Sequence, residues 1–398
     1  MKIETIAVHA GDRKADASRP GSFVPVTTPI YAASSFLYDS TAQLDRVLGR
    51  EEPGFCYARY DNPTSAALEE LMTELEGGAA ALACSSGMMA IHTALMAALL
   101  DAPKSVLAAN ALYGATVSML TKLFEPFGVD VRFVDVCDLD AVERCLDEQR
   151  PGAVLLETIS NPLLRVGALD RIGELCRKAG SALIVDNTFA TPQLIRPLSL
   201  GANLVVHSAT KFLAGHGDVL GGIVVSDDRF ASAIRSITRT LGPGLGPFES
   251  YLTMRGIKTF PLRMERHCAN ACRVAGFLAQ HPAVSKVHYL ADAKHPDAEA
   301  IRRLLAPGLY GAIVTFELKD GSKQDVFDFM DSLKLVVRAT SLGDVHSTVL
   351  YPAIASHRDV APKQRERMGI HEGTVRLCIG IEAAEDIIAD LEQALPRH

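Results

Sequence analysis

Leu204-Val-Val-His-Ser-Ala-Thr-Lys211, a short interval after Ala182-Leu-Ile-Val-Asp186-Asn-Thr188, decides how this chain is read. Each segment is an apolar run that ends in polar residues. That pattern predicts a buried parallel strand delivering reactive groups at its C-terminal end. One strand ends in a carboxylate, Asp186, and the next in Lys211 flanked by the hydroxyls of Ser208 and Thr210. An amine, an anion and hydroxyls in that order match what a pyridine-aldehyde cofactor needs. The amine forms a covalent link, the anion keeps the ring nitrogen protonated, and the hydroxyls meet the phosphate.

Outward from this pair the same rhythm continues. Thr64 to Leu75 reads as a helix closed by Gly77-Gly78, and Ala79 to Cys84 as a short apolar strand. Ser85-Ser86-Gly87-Met88 then opens a helix over Ala90 to Leu100. Ser105 to Ala109, Val131 to Val134 and Ala153 to Glu157 read as further strands, and Val117 to Phe127 as a helix with a possible stop at Pro126. This alternation predicts an α/β layered domain with a mostly parallel sheet. Gly242-Pro-Gly-Leu-Gly-Pro247 lacks a preceding strand and reads as a turn rather than a phosphate loop. Arg263 to Gln280 reads as a long helix leading into a second, mixed unit with strands near Val287 to Leu290, Ala312 to Leu318, Val336 to Ala339 and Val375 to Ile379. The boundaries expected are an arm over 1–60, a large cofactor-binding domain over 61–256 and a smaller α+β domain over 257–398. The arm is rich in Gly, Pro, Ser and Thr, with Pro20, Pro25 and Pro29 breaking any helix. It is expected to be extended and to lie on another subunit.

Composition narrows the function. At 398 residues with 48% hydrophobic content, the chain can bury a large core. A formal net charge of -7 without a basic block argues against nucleic-acid binding. No apolar run spans a bilayer and the first residues lack a signal-peptide core, so a cytoplasmic protein is expected. The eight cysteines form no CxxC pair and the twelve histidines no HExxH, so reduced thiols and no metal are expected.

Several further residues suit the same chemistry. Ser86, Gly87 and Met88 at a helix start would offer backbone N–H groups and the positive end of a dipole to a phosphate. Tyr113 could stack on a ring, and Asn161 follows a strand end where sheets present ligand contacts. Arg376 carries the planar fork that an α-carboxylate favours.

Together with Tyr57-Ala-Arg-Tyr-Asp-Asn-Pro-Thr64, Leu112-Tyr-Gly114, Ser160-Asn-Pro162, Arg255-Gly-Ile-Lys-Thr259 and Ser341-Leu-Gly343, these residues resemble the Cys/Met-metabolism (transsulfuration) family of pyridoxal-phosphate enzymes. The resemblance covers essentially the whole chain. It implies fold type I, a sheet of the seven-stranded type and pyridoxal 5′-phosphate as cofactor. Lys211 would be the cofactor-linked lysine and proton shuttle, and Asp186 would pair the ring nitrogen. Tyr113 would stack on the ring and assist the leaving group. Ser86, Gly87, Met88, Ser208 and Thr210 would hold the phosphate, joined by Tyr57 and Arg59 from a neighbouring subunit. Asn161, Ser341 and Arg376 would hold the substrate, and the assembly would be a homotetramer built from two dimers. The reaction implied is γ-elimination from cystathionine or a related γ-substituted amino acid, giving 2-oxobutanoate, ammonia and a thiol. The alternatives are γ-replacement and methionine γ-elimination. Methionine γ-lyases carry a cysteine where this chain has Ala115, and cystathionine enzymes usually place a glutamate where His346 stands.

Overall fold

The computed structural model describes residues 1–12, 25–356, 358 and 362–396. Seven strands form the first sheet: β1 (Ala80–Cys84), β2 (Ser105–Ala109), β3 (Asp130–Val134), β4 (Ala153–Glu157), β5 (Ala182–Asp186), β6 (Leu204–Ser208) and β7 (Gly222–Ser226). Their order is β1-β7-β6-β5-β4-β2-β3. Strands β3, β2, β4, β5 and β6 pair in parallel, while β7 runs antiparallel to both β6 and β1. Near-continuous burial along β1, β2, β4, β5 and β6 explains why these strands carry no alternating polar residues. Five strands form the second sheet: β8 (Val284–His288), β9 (Ile313–Leu318), β10 (Val337–Arg338), β11 (Thr348–Leu350) and β12 (Thr374–Cys378), in the order β10-β11-β12-β9-β8. Each sheet has its own apolar cluster. The helix Phe260–Leu278 contributes Met264 and Cys268 to the first and Ala271, Val274 and Leu278 to the second.

The first 60 residues depart from the extended arm expected. A helix, α1 (Ile3–His9), buries Ile6 and Ala7 in the first core, and α2 (Thr41–Gly49) is capped by Ser40, whose side chain accepts from the Gln43 N–H. Overall Gly and Pro content hid a short apolar face that has a core to rest on. Pro20 lies outside the described residues; Pro25 and Pro29 sit in irregular chain.

Two helices pack against the first sheet. In α3 (Pro63–Glu76) Asn62 caps the start and Gly77, with φ 72°, ends it. In α4 (Gly87–Leu99) the Ser86 side chain accepts from the Met89 N–H at 3.1 Å. The expected helix over Val117 to Phe127 begins earlier, as α5 (Gly114–Met119). It then passes into a π-helical turn over Leu120–Phe124 and a 3-10 turn over Glu125–Phe127, with Pro126 inside the last.

Candidate active site

The parallel strands put their polar ends on one edge of the first sheet. β4 and β5 align so that Glu157 is level with Asp186, and β5 and β6 so that Asp186 is level with Val206. The Thr188 N–H donates to Asp186 Oδ1 at 3.0 Å, and the Ser208 N–H to Thr188 Oγ1 at 2.8 Å. Burial raises the Asp186 carboxyl above the usual range, since the hydrogen bonds from Thr188 and the nearby His207 only partly offset it. A cation beside it would complete the site.

Lys211 follows β6 in a loop held from below by a buried guanidinium. Arg263 Nη1 donates to the Phe212 carbonyl at 2.8 Å, and Nη2 to the Leu213 carbonyl at 3.1 Å and the Gly256 carbonyl at 2.8 Å. From the other side, Gly343 presses on the same loop. A Cβ there would lie 2.5 Å from the Phe212 nitrogen and 2.9 Å from the Lys211 carbonyl carbon, and φ is +77°. Only glycine fits both demands. This close approach brings Ser341 over Lys211, whose Nζ donates to Ser341 Oγ at 2.9 Å. Burial and, next, the Arg376 charge lower the Lys211 pKa from the ordinary 10.5, which favours the neutral amine.

Arg376 on β12 is 3% exposed. Its Nη1 donates to Asn161 Oδ1 at 2.9 Å and its Nη2 to the Ser341 carbonyl at 3.4 Å, while Nε has no partner among the described residues. Burial lowers this guanidinium to about 10. Desolvating such an ion costs several kcal/mol, and two hydrogen bonds to neutral groups recover only part of that. Among the described residues no carboxylate pairs with it. The arrangement suits a carboxylate brought by a ligand.

The start of α4 has the make-up expected of an anion site. A Cβ on Gly87 would lie 2.9 Å from the Ser208 Cβ and 3.1 Å from its Oγ, so helix start and strand end touch through the glycine. With no side chain at Gly87, the backbone N–H groups of that start would be open to an anion. Thr210, expected at the phosphate, uses its hydroxyl on Gly221: it accepts from the N–H at 3.0 Å and donates to the carbonyl at 3.2 Å. The donor set therefore fits pyridoxal 5′-phosphate: an anion site at Gly87, a lysine with a lowered pKa and a carboxylate short of a cation.

Tyr113, 44% exposed, sits at the start of α5 and lines a cavity of about 1210 Å³ with Met88, Ala115, Glu157 and Asn161. Tyr57 and Arg59 are not brought to Lys211. Arg59 stacks at 4.7 Å over Tyr60, donates to the Arg239 carbonyl and lines a separate cavity of about 410 Å³. His346 is exposed and faces Asp344, with Nδ1 and Oδ1 3.3 Å apart.

Three features escaped the sequence reading. Glu157 accepts from the Tyr113 N–H at 2.6 Å and the Asn161 N–H at 3.3 Å. As the terminal residue of a buried strand level with Asp186, it carried the same signal as Asp186 did. Arg263 had none, since an arginine on a helix reads as surface. Behind β6, buried Glu76 Oε1 accepts from Asn187 Nδ2 at 3.0 Å and lies 2.6 Å from His207 Nε2, a long-range pairing that no local pattern reveals.

Residues 4–396 match the family described as Cys/Met metabolism PLP-dependent enzyme. An L-methionine gamma-lyase of Fusobacterium nucleatum subsp. polymorphum is 41% identical over 99% of this chain and 98% of its own length. A cystathionine gamma-lyase of Bacillus subtilis is 39% identical over 99% of both. The crystal structure of cystathionine gamma synthase from Xanthomonas oryzae pv. oryzae, in complex with aminoacrylate and cysteine, superposes with a TM-score of 0.90 at 35% identity. It covers 99% of this chain and 98% of that one. The chain belongs to the Cys/Met metabolism family of pyridoxal-phosphate-dependent enzymes.

Proposed function

We propose that this protein is a lyase that removes the γ-substituent of a sulfur amino acid, cystathionine or a close analogue, giving 2-oxobutanoate, ammonia and a thiol with uptake of one water. The observation that carries the reading is the buried Arg376, without a carboxylate partner among the described residues, in one hydrogen-bonded group with Asn161, Ser341 and Lys211. Arg376 would take the substrate's α-carboxylate in a bidentate pair, with Asn161 and Ser341 fixing its rotation. Pyridoxal 5′-phosphate, when bound, supplies the electron sink that makes a Cα proton removable. Lys211, as a free amine, would take that proton and return one as the product leaves; its lowered pKa keeps it a base near neutral pH. Asp186 would hold the ring nitrogen's proton, and Gly87, Met88, Ser86, Ser208 and Thr210 would flank the phosphate. The Tyr113 hydroxyl would hand a proton to the departing sulfur. Tyr57 and Arg59, remote from Lys211 within the chain, would serve the phosphate of a second copy in a homo-oligomer.

The same cavity is lined by Ala115, Lys122 and Asp135, and the two opposite charges would suit the distal carboxylate and ammonium of cystathionine. Incubation with cystathionine, methionine, homocysteine and O-acetylhomoserine, with and without sulfide, tests this. 2-Oxobutanoate released most efficiently from cystathionine is expected. Release from methionine alone would overturn the substrate, and consumption of O-acetylhomoserine only with sulfide, without oxo acid, would make the enzyme a γ-replacement catalyst.

A further inference from the structure

Glu157 is the one acid at the sheet edge to which the reading above gives no task. It ends β4, lines the main cavity and stands level with Asp186 on the adjacent strand. Two carboxylates in that relation repel each other in a medium that screens charge poorly. Burial and, next, the Asp186 charge push the Glu157 carboxyl up to about 8. A neutral residue would avoid this cost, so the geometry of its two hydrogen bonds is informative. Oε1 accepts from the Tyr113 N–H at 2.6 Å, and Oε2 accepts from the Asn161 N–H at 3.3 Å. The first bond crosses to the start of α5, 44 positions away, and fixes the backbone that carries the Tyr113 ring. The second fixes the backbone of Asn161, whose side-chain oxygen accepts from Arg376 Nη1 at 2.9 Å.

We infer that Glu157 is a positioning residue that, through one carboxylate, sets both the stacking face of Tyr113 on the cofactor ring and the Asn161–Arg376 pair on the substrate carboxylate. It acts through backbone N–H groups and needs two acceptor atoms at once. Only a carboxyl group of this length supplies them, since both of its oxygens keep a lone pair to accept with whether or not the group is protonated. A primary amide of the same shape has one acceptor and one donor, and either way round it turns its NH₂ group towards one of the two N–H donors. The inference rests on the roles proposed for Tyr113, Asn161 and Arg376.

Glu157→Gln tests it in the cofactor-loaded enzyme. A ring held against Tyr113 in a fixed asymmetric setting gives the cofactor's visible band induced circular dichroism, and this reading needs no substrate. In Glu157→Gln the dichroism per bound cofactor is expected to fall at least twofold. In the same variant kcat should fall and KM rise, with kcat/KM at least tenfold lower. Wild-type dichroism per bound cofactor overturns the inference, whatever the activity. Should Glu157→Gln not fold, Glu157→Asp decides in the same way, since it keeps the carboxyl group but falls one methylene short of both donors. If wild-type enzyme turns over no sulfur amino acid, the lyase reading fails while the dichroism comparison still stands.

Discussion

Lys211 Nζ and Ser341 Oγ lie 2.9 Å apart although 130 positions separate them in the chain. The hydroxyl is there because Gly343, at φ +77°, lets its loop press on the Lys211 backbone. The contact orients the amine without giving it a negative partner, so burial and the Arg376 charge keep its pKa low. Lys211→Ala should therefore lower turnover by at least ~10²-fold, the usual contribution of a positioned acid–base group, while far-UV dichroism stays native. Near-normal turnover in that variant would remove Lys211 from the chemistry.

Arg376 sets function against stability. Replacing it with methionine removes a buried ion that has no anionic partner among the described residues, so the cofactor-free protein should melt no lower than wild type. The substrate carboxylate loses its charged donor at the same time, and kcat/KM should fall about 10- to 100-fold, equivalent to roughly 1.5–3 kcal/mol. A marked loss of thermal stability with kcat/KM retained would make Arg376 a structural residue.

Gly87→Ala addresses the phosphate cradle. The added methyl meets Ser208 Cβ at 2.9 Å, so α4 must move away from β6 or Ser208 must turn. Pyridoxal 5′-phosphate affinity, measured by equilibrium dialysis, should weaken about tenfold, the equivalent of ~1.4 kcal/mol. Unchanged affinity would place the phosphate elsewhere.

The paired acids make stability depend on pH. Glu157 is raised from 4.5 to about 8 and Asp186 is raised as well, so the folded cofactor-free protein holds protons that the unfolded chain has released. Their contribution is fully present below the ordinary carboxyl range and is lost as pH rises towards about 8. Lys211, lowered instead, acts in the opposite sense as pH climbs towards 10.5. Denaturant melts of cofactor-free wild type and Glu157→Gln between pH 5 and 8 should show the wild type losing more stability. Parallel slopes would mean that Glu157 is ordinary in its ionisation.

The separation of Arg59 from Lys211 can be tested by subunit mixing. If Arg59 completes a neighbouring copy's site, mixed Arg59→Ala and Lys211→Ala chains form some dimers with one intact site. Roughly a quarter of wild-type activity should return, as expected for two sites shared across a twofold axis. No recovery after proven exchange would place Arg59 outside the active site.

Most of the sheet was legible because buried strands are short apolar runs with sharp polar ends. β2 and β4 match their expected limits residue for residue, and β5 ends in Asp186 as expected. The three residues of β11 are too few to show a period, and β8 starts three residues before its expected Val287 because its outer residues are partly exposed. Helix α1 was hidden by the composition of the segment around it. At the site, Asp186 and Arg376 stood out as polar residues on apolar strands, and Lys211 as a lysine just beyond one. Glu157 carried the same mark, but its meaning lies in hydrogen bonds to two distant loops. The exposed position of His346 beside Asp344 likewise depends on how the 341–347 loop folds, which spacing does not encode.

The most direct measurement is borohydride reduction of the cofactor-loaded enzyme followed by peptide mass mapping, which marks the amine that carries the cofactor. The expected result is loss of the visible band, with the pyridoxyl mass on the peptide containing Lys211 and on no other. A label on a different lysine, or none on protein shown to have bound the cofactor, would contradict the role given to Lys211 and the mechanism built on it.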